Sequence, residues 1–212
     1  MEVIKFTFNP FMENTYILHD SGKGVIIDPG CYDPAEERAL IECIEDKSIQ
    51  IEKILNTHGH IDHVLGNAFV KRQFDVPLWV GEHDAATLKS VEAYASSYGF
   101  QKYTPSTPDQ FLKEGDEIKV GNGTLKVLFA PGHAPGHIAF YNAVDGFIIG
   151  GDVLFQESIG RTDLPGGDFD TLMESIKTQF FTLPDETVVY SGHGEETTIG
   201  HEKLYNPFCK LV

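Results

Sequence analysis

Asn56-Thr57-His58-Gly59-His60-Ile61-Asp62-His63 places three histidines and an aspartate within six positions, directly after the apolar positions Ile51, Ile54 and Leu55. The apolar run predicts a short buried strand, and Val64-Leu65-Gly66-Asn67-Ala68-Phe69-Val70 predicts a helix. The cluster therefore occupies a strand-to-helix turn, where side chains converge in space without belonging to a core. His58 and His60 are two apart and can point the same way along an extended segment. Asp62 and His63 are adjacent and must diverge. One ion cannot easily take all four, so two neighbouring metal sites are the economical geometry. A polar loop of solvated histidines is the plainer alternative, and it leaves the density of ligand residues without a reason.

Three further turns have the same character. Phe129-Ala130-Pro131-Gly132-His133, Ile148-Ile149-Gly150-Gly151-Asp152 and Val188-Val189-Tyr190-Ser191-Gly192-His193-Gly194 each follow an apolar strand with glycine or proline and then a metal-ligand side chain. Flanking glycines let the backbone turn sharply and approach an ion closely. Each turn alone is a weak signal. Four of them at four strand ends form a coherent site along one edge of a sheet arrangement.

The whole chain sets the bounds. Its 212 residues predict one domain spanning 1–212, with 41% hydrophobic residues in the range of ordinary globular proteins. Lys and Arg total 16 against 32 Asp and Glu, a formal charge of −16. Such a surface repels phosphate backbones and anionic lipid, which argues against nucleic acid or membrane as partner. The first residues show no basic segment followed by an apolar one, and no apolar stretch approaches a membrane span. Cys31, Cys43 and Cys209 are odd in number and widely spaced. They fit reduced thiols in a cytoplasmic protein, with Cys31 read as buried filler rather than a reactive group.

Strands are expected at 3–8, 15–19, 25–27, 51–55, 78–80 and 187–190. Hairpins are expected at 118–129 around Gly121-Asn122-Gly123 and at 138–149 around Asp145-Gly146. Helices are expected at 34–46, with Asp33 as N-cap and Pro34 in the first turn, at 64–74, 83–103 and 168–181, and in a closing polar segment. Gly24-Val-Ile-Ile-Asp28 is echoed by Gly146-Phe-Ile-Ile-Gly-Gly-Asp152. Two similar α/β halves packed sheet to sheet, with helices outside, account for that echo.

Thr57-His58-Gly59-His60-Ile61-Asp62-His63, followed in order by His133, Asp152 and His193, resembles the metallo-β-lactamase-fold hydrolases. The likeness runs over nearly the whole chain. It is closest to the hydroxyacylglutathione hydrolase (glyoxalase II) branch and its short prokaryotic relatives, which the stretch from Ser158 through Gly160-Arg161-Thr162-Asp163 to Asp168 also resembles. The resemblance implies an αββα four-layer sandwich of two mixed β-sheets with outer helices. It implies one divalent ion on His58, His60 and His133 and another on Asp62, His63 and His193, with Asp152 bridging and Asp62 counted as catalytic. It further implies that Asp28 orients a ligand histidine from behind, beside the plainer role of a turn aspartate. Ligands of this kind without thiolate suit Zn²⁺, and also Fe or Mn. A hydroxide held between two such ions would attack a small thioester such as S-D-lactoylglutathione.

Other residues read as ordinary. His137 is expected to make a routine hydrogen bond. Tyr94, Tyr98 and Tyr103 read as packing rather than a substrate wall. Arg161 and Lys203 can meet an anionic substrate, and cap or surface roles explain them equally. Full-length glyoxalase II carries a C-terminal helical extension whose basic residues hold the glutathione carboxylates. Only 19 residues follow His193 here, so that extension is missing and the identity of the thiol stays open. Two other classes remain: a mononuclear iron persulfide dioxygenase of the same fold, and a non-catalytic metal-binding scaffold. Sequence says nothing of oligomeric state.

Overall fold

The computed structural model of the protein describes residues 1–211. Its strands and helices follow one another as β1 (Glu2–Phe8), β2 (Glu13–Asp20), β3 (Lys23–Ile27), α1 (Pro34–Asp46), β4 (Gln50–Leu55), α2 (Ile61–Val64), α3 (Asn67–Phe74), β5 (Leu78–Gly81), α4 (Ala85–Tyr94) and β6 (Gln110–Leu112). The second half holds β7 (Glu117–Val120), β8 (Gly123–Phe129), β9 (Ile138–Asn142), β10 (Phe147–Gly151), β11 (Leu154–Phe155), β12 (Ser158–Ile159), α5 (Phe169–Ser175), β13 (Val188–Ser191), β14 (Thr197–Thr198) and α6 (Ile199–Tyr205).

Two six-stranded sheets result, in the orders β1-β2-β3-β4-β5-β6 and β14-β13-β10-β9-β8-β7. The echoed strands β3 and β10 occupy matching places. Each pairs antiparallel with the strand before it, β2 or β9, and parallel with the strand that follows a helical crossover, β4 or β13.

The period-2 geometry of a strand explains the layers. In β3, Val25 and Ile27 point into the interior between the sheets, while Ile26 points out beneath α1 and α3. In β10, Phe147 and Ile149 point inward, and Ile148 points out toward Leu172 of α5 and Phe180. Both faces of these strands are covered, so they read as unbroken apolar runs. Each such side chain contributes roughly 1.5–3 kcal/mol by burial, and a one-residue slip would exchange the layers, which fixes the register. The architecture is the αββα sandwich.

Helix α1 begins as its sequence predicts. Asp33 accepts from the N–H groups of Ala35 and Glu36 at 2.8 and 3.0 Å, with Pro34 at the first position. The expected helix over 83–103 is shorter. Helix α4 ends at Tyr94, a 3₁₀ turn covers Ala95–Tyr98, and Gly99 at φ +92° stops it. Alanine, serine and tyrosine are compatible with helix, so only Gly99 marked the end locally. Helix 64–74 divides at Leu65-Gly66 into α2 and α3. Strands β6, β11, β12 and β14 are too short for a sequence period and are defined by their partners alone.

Candidate metal centre

Every residue of the predicted site stands at the C-terminal end of a strand, along one rim of the sandwich. Asp28 follows β3, residues 56–63 follow β4, His133 follows β8, Asp152 follows β10 and His193 follows β13. Ligand sites at carboxyl ends of strands are the rule for open α/β sheets. Here two sheets deliver their ends to one place.

Three groups of side chains lie close enough to share an ion: His58, His60 and His133; Asp62, His63 and His193; and Asp28 with His58 and His63. Asp152 joins the first two. Its Oδ2 lies 3.4 Å from His133 Nε2 and 3.5 Å from His193 Nε2, and its Oδ1 lies 3.4 Å from His63 Nε2. Asp62 Oδ2 lies 3.2 Å from His193 Nε2 and 3.7 Å from His63 Nε2. All seven predicted residues are therefore within one small volume.

The backs of the rings decide which atoms face that volume. His58 Nδ1–H donates to Thr57 Oγ1 at 3.0 Å, and that hydroxyl donates to Asp28 Oδ2 at 2.6 Å. His63 Nδ1–H donates to Asp28 Oδ2 at 3.1 Å. His133 Nδ1–H donates to the Arg161 carbonyl at 2.8 Å. His193 Nδ1–H is shared by the carbonyls of Phe11 and Met12 at 3.1 and 3.2 Å. Four rings thus have Nδ1 engaged behind them, which leaves Nε2 as the atom turned toward the centre. His60 differs, facing His133 Nε2 with its Nδ1 at 2.9 Å.

The donor set fits cations. His58 Nε2, His63 Nε2 and Asp152 Oδ1 are buried and have no hydrogen-bond partner. Buried polar atoms left without partners are costly, and three in one small cluster of ligand side chains are what bound ions would satisfy. Gly192 belongs to this cradle, since a Cβ there would collide with the Asp152 carboxylate. Gly151, at φ +52°, leaves room for Thr57 and His137, whose Nε2 accepts the Asp152 N–H at 3.0 Å. That is the routine hydrogen bond expected of His137, and it secures the Asp152 backbone.

Electrostatics separate the two triads. Burial, with His133 beside it, lowers His60 to about 4, and burial pushes His58 well below the usual histidine value. Burial also works to lower His193, but the carboxylates of Asp152 and Asp62 override it and raise that ring to about 10. The same two carboxylates raise the buried His63. Burial works to raise Asp152, yet His63 and His193 hold it well below the carboxylate range.

Above the centre opens a cavity of about 540 Å³, walled by Phe11, Ile61, Tyr94, Tyr98, Phe155, Ile159, Leu164 and Pro165, with Arg161 on its rim. Tyr94 and Tyr103 pack on the core as expected, but Tyr94 also lines the cavity, and Tyr98 is a wall residue, contrary to the packing role expected of it. Helical spacing made them look like one stripe, but the 3₁₀ turn carries Tyr98 toward the cavity. Arg161 pairs with Asp163 through two 2.7 Å bonds. Cys31 is buried. His19, His83 and His201 pair with Glu2, Glu82 and Glu157 away from the centre. Phe11 and Asn9 carried no signal in the sequence, and Thr57 stood in the motif without an assigned role, because their parts depend on contacts across the fold.

Comparison with known proteins gives consistent results. The model of the Metallo-beta-lactamase superfamily matches residues 8–193. The chain is 39% identical to hydroxyacylglutathione hydrolase GloC of Haemophilus influenzae, over 98% of this chain and 97% of that protein. Among solved structures, TTHA1623 in a di-iron-bound form superposes with a TM-score of 0.87 at 36% identity, covering 97% of this chain and all of the other (100%). The BLEG-1 B3 metallo-beta-lactamase superposes with a TM-score of 0.83 at 33% identity, covering 98% and 99%. Among the described residues no helix is long and apolar enough to cross a membrane.

Proposed function

The chain belongs to the metallo-beta-lactamase superfamily, and we propose that it is a binuclear metal-dependent hydrolase of small thioesters of the S-D-lactoylglutathione type. The observation that carries this reading is a cluster of ligand side chains with orphaned atoms, of which His60, Asp62, His133, Asp152 and His193 line an organic-sized pocket. The likeness to a protein named hydroxyacylglutathione hydrolase supports the thioester. His58, His60 and His133 would hold one ion, Asp62, His63 and His193 the other, and Asp152 both. The donor set suits zinc, while the di-iron form of TTHA1623 supports iron equally. Two ions so held supply a hydroxide nucleophile near neutral pH and positive charge for a developing oxyanion.

The chain's own residues do the rest. Asp28, Thr57 and the carbonyls of residues 11, 12 and 161 lock the imidazoles before substrate arrives, so no reorganisation is needed at reaction. Asp62 faces the pocket and is the carboxylate we assign to catalysis, placed to orient the attacking water. The aromatic and aliphatic walls exclude bulk solvent from the thioester. We place the protein in the cytoplasm, a reading its three unpaired cysteines support.

The test is turnover of S-D-lactoylglutathione and a panel of other thioesters, with a β-lactam alongside, by protein of known metal content. Metal-dependent thioester cleavage with two ions per chain is expected. Absence of turnover across the panel would sink the proposal. One iron per chain with oxygen uptake on glutathione persulfide would replace it with the dioxygenase.

A further inference from the structure

Asn9 opens the turn between β1 and β2, and its polar groups are all engaged within the protein. Its Nδ2 donates to the carbonyl of Asp62 at 3.0 Å and to that of Gly30 at 3.1 Å. Its Oδ1 accepts the Phe11 N–H at 2.9 Å, and its own N–H donates to Glu36 Oε1 at 2.6 Å. The residue is 7% exposed and sits at φ +51°, a backbone region that asparagine tolerates better than most. Glu36 is also the third residue of the capping box of α1, so the turn is pinned to a helix start.

The consequence falls on the second triad. Asn9 holds the backbone of Asp62 directly. It also sets the turn whose next carbonyls, those of Phe11 and Met12, receive His193 Nδ1–H. The turn is tied in again where Asn14 N–H donates to the Gly192 carbonyl at 2.7 Å. One asparagine thus reaches two members of the triad by two routes, and makes no hydrogen bond to His58, His60 or His133.

We propose that Asn9 is a positioning residue for the second ion: it fixes the Asp62 backbone and, through the turn carbonyls that hold His193 Nδ1–H, orients that ring with Nε2 toward the ion. This rests on the two-ion reading above. Asn9 touches neither ion nor substrate, so its removal acts through the affinity of one ion and not the other.

Two variants test it. N9D keeps the size but presents carboxylate oxygen where two carbonyls need a donor. N9G keeps the left-handed backbone and removes the grip. Metal-free wild type and variants are titrated with Co²⁺, followed by visible absorption and elemental counting. We expect wild type to take two ions, and both variants to bind the first unchanged and the second at least about tenfold more weakly. Second-ion affinity within about twofold of wild type, equal weakening of both ions, or failure of both variants to fold would overturn the proposal. Wild type saturating at one ion would reject the two-ion reading itself, a failure read without any variant.

Discussion

In the first triad burial pushes His58 and His60 below the usual histidine value, whereas in the second the carboxylates around His63 and His193 raise both rings. Burial is only part of the difference: His133 has 3% side-chain exposure and His193 27%, but His63 has 0%. Desolvation disfavours the charged form of His58 and His60, so an ion entering there meets little competition from protonation of those two rings. In the second triad the carboxylates keep the imidazoles charged. An ion must compete there with protons. On the two-ion reading, similar residue types with different carboxylate neighbours would give one ion site with weak proton competition and one with strong.

Asp152 touches both triads, so its loss should have the largest effect. We expect Asp152→Ala to lower thioester turnover by at least about 100-fold and to weaken both ions. Elemental analysis that shows only one ion affected would break its role as the link. Next in size, Thr57→Val removes the acceptor of His58 Nδ1–H. First-triad affinity should fall roughly 10–100-fold in chelator competition, with a smaller loss at the second triad, because Asp28 Oδ2 accepts from both the Thr57 hydroxyl and His63.

The pH dependence sharpens the contrast further. His193 titrates near 10 in the metal-free protein, so around neutrality it holds a proton that an ion must expel. Second-ion affinity should therefore rise with pH, by about tenfold per unit for each proton displaced, until near that value. Burial lowers His60 to about 4 and pushes His58 well below its usual value, so these two ligands should add no pH dependence to first-ion affinity near neutrality, and its slope should be the shallower of the two. Calorimetric titrations at several pH values with the same slope for both ions would erase the distinction. The smallest effect belongs to the pocket wall. Tyr98→Ala should raise KM by roughly three- to tenfold while leaving both ion affinities intact.

Much of this was legible in the sequence. Strand ends that present His133, Asp152 and His193 announce themselves, because an apolar run, a glycine turn and a ligand residue are all local signals. The echo of 24–28 in 146–152 revealed two matching halves for the same reason. Asn9 was invisible: an asparagine in a turn is ordinary, and its partners Gly30, Glu36 and Asp62 are distant in sequence. Tyr98 was misread because helical spacing describes a straight helix, and the chain tightens into a 3₁₀ turn before Gly99. Strand β14 exists only because β13 lies beside it.

Three of the carbonyls that hold ligand rings belong to Phe11, Met12 and Arg161, and two of those residues also face the pocket with their side chains. A carbonyl is the same whatever side chain its residue bears. Positions 11 and 161 can therefore change to suit a different acyl or thiol group while the rings behind them keep their tautomers. Substrate preference can drift across generations without the metal centre being rebuilt each time.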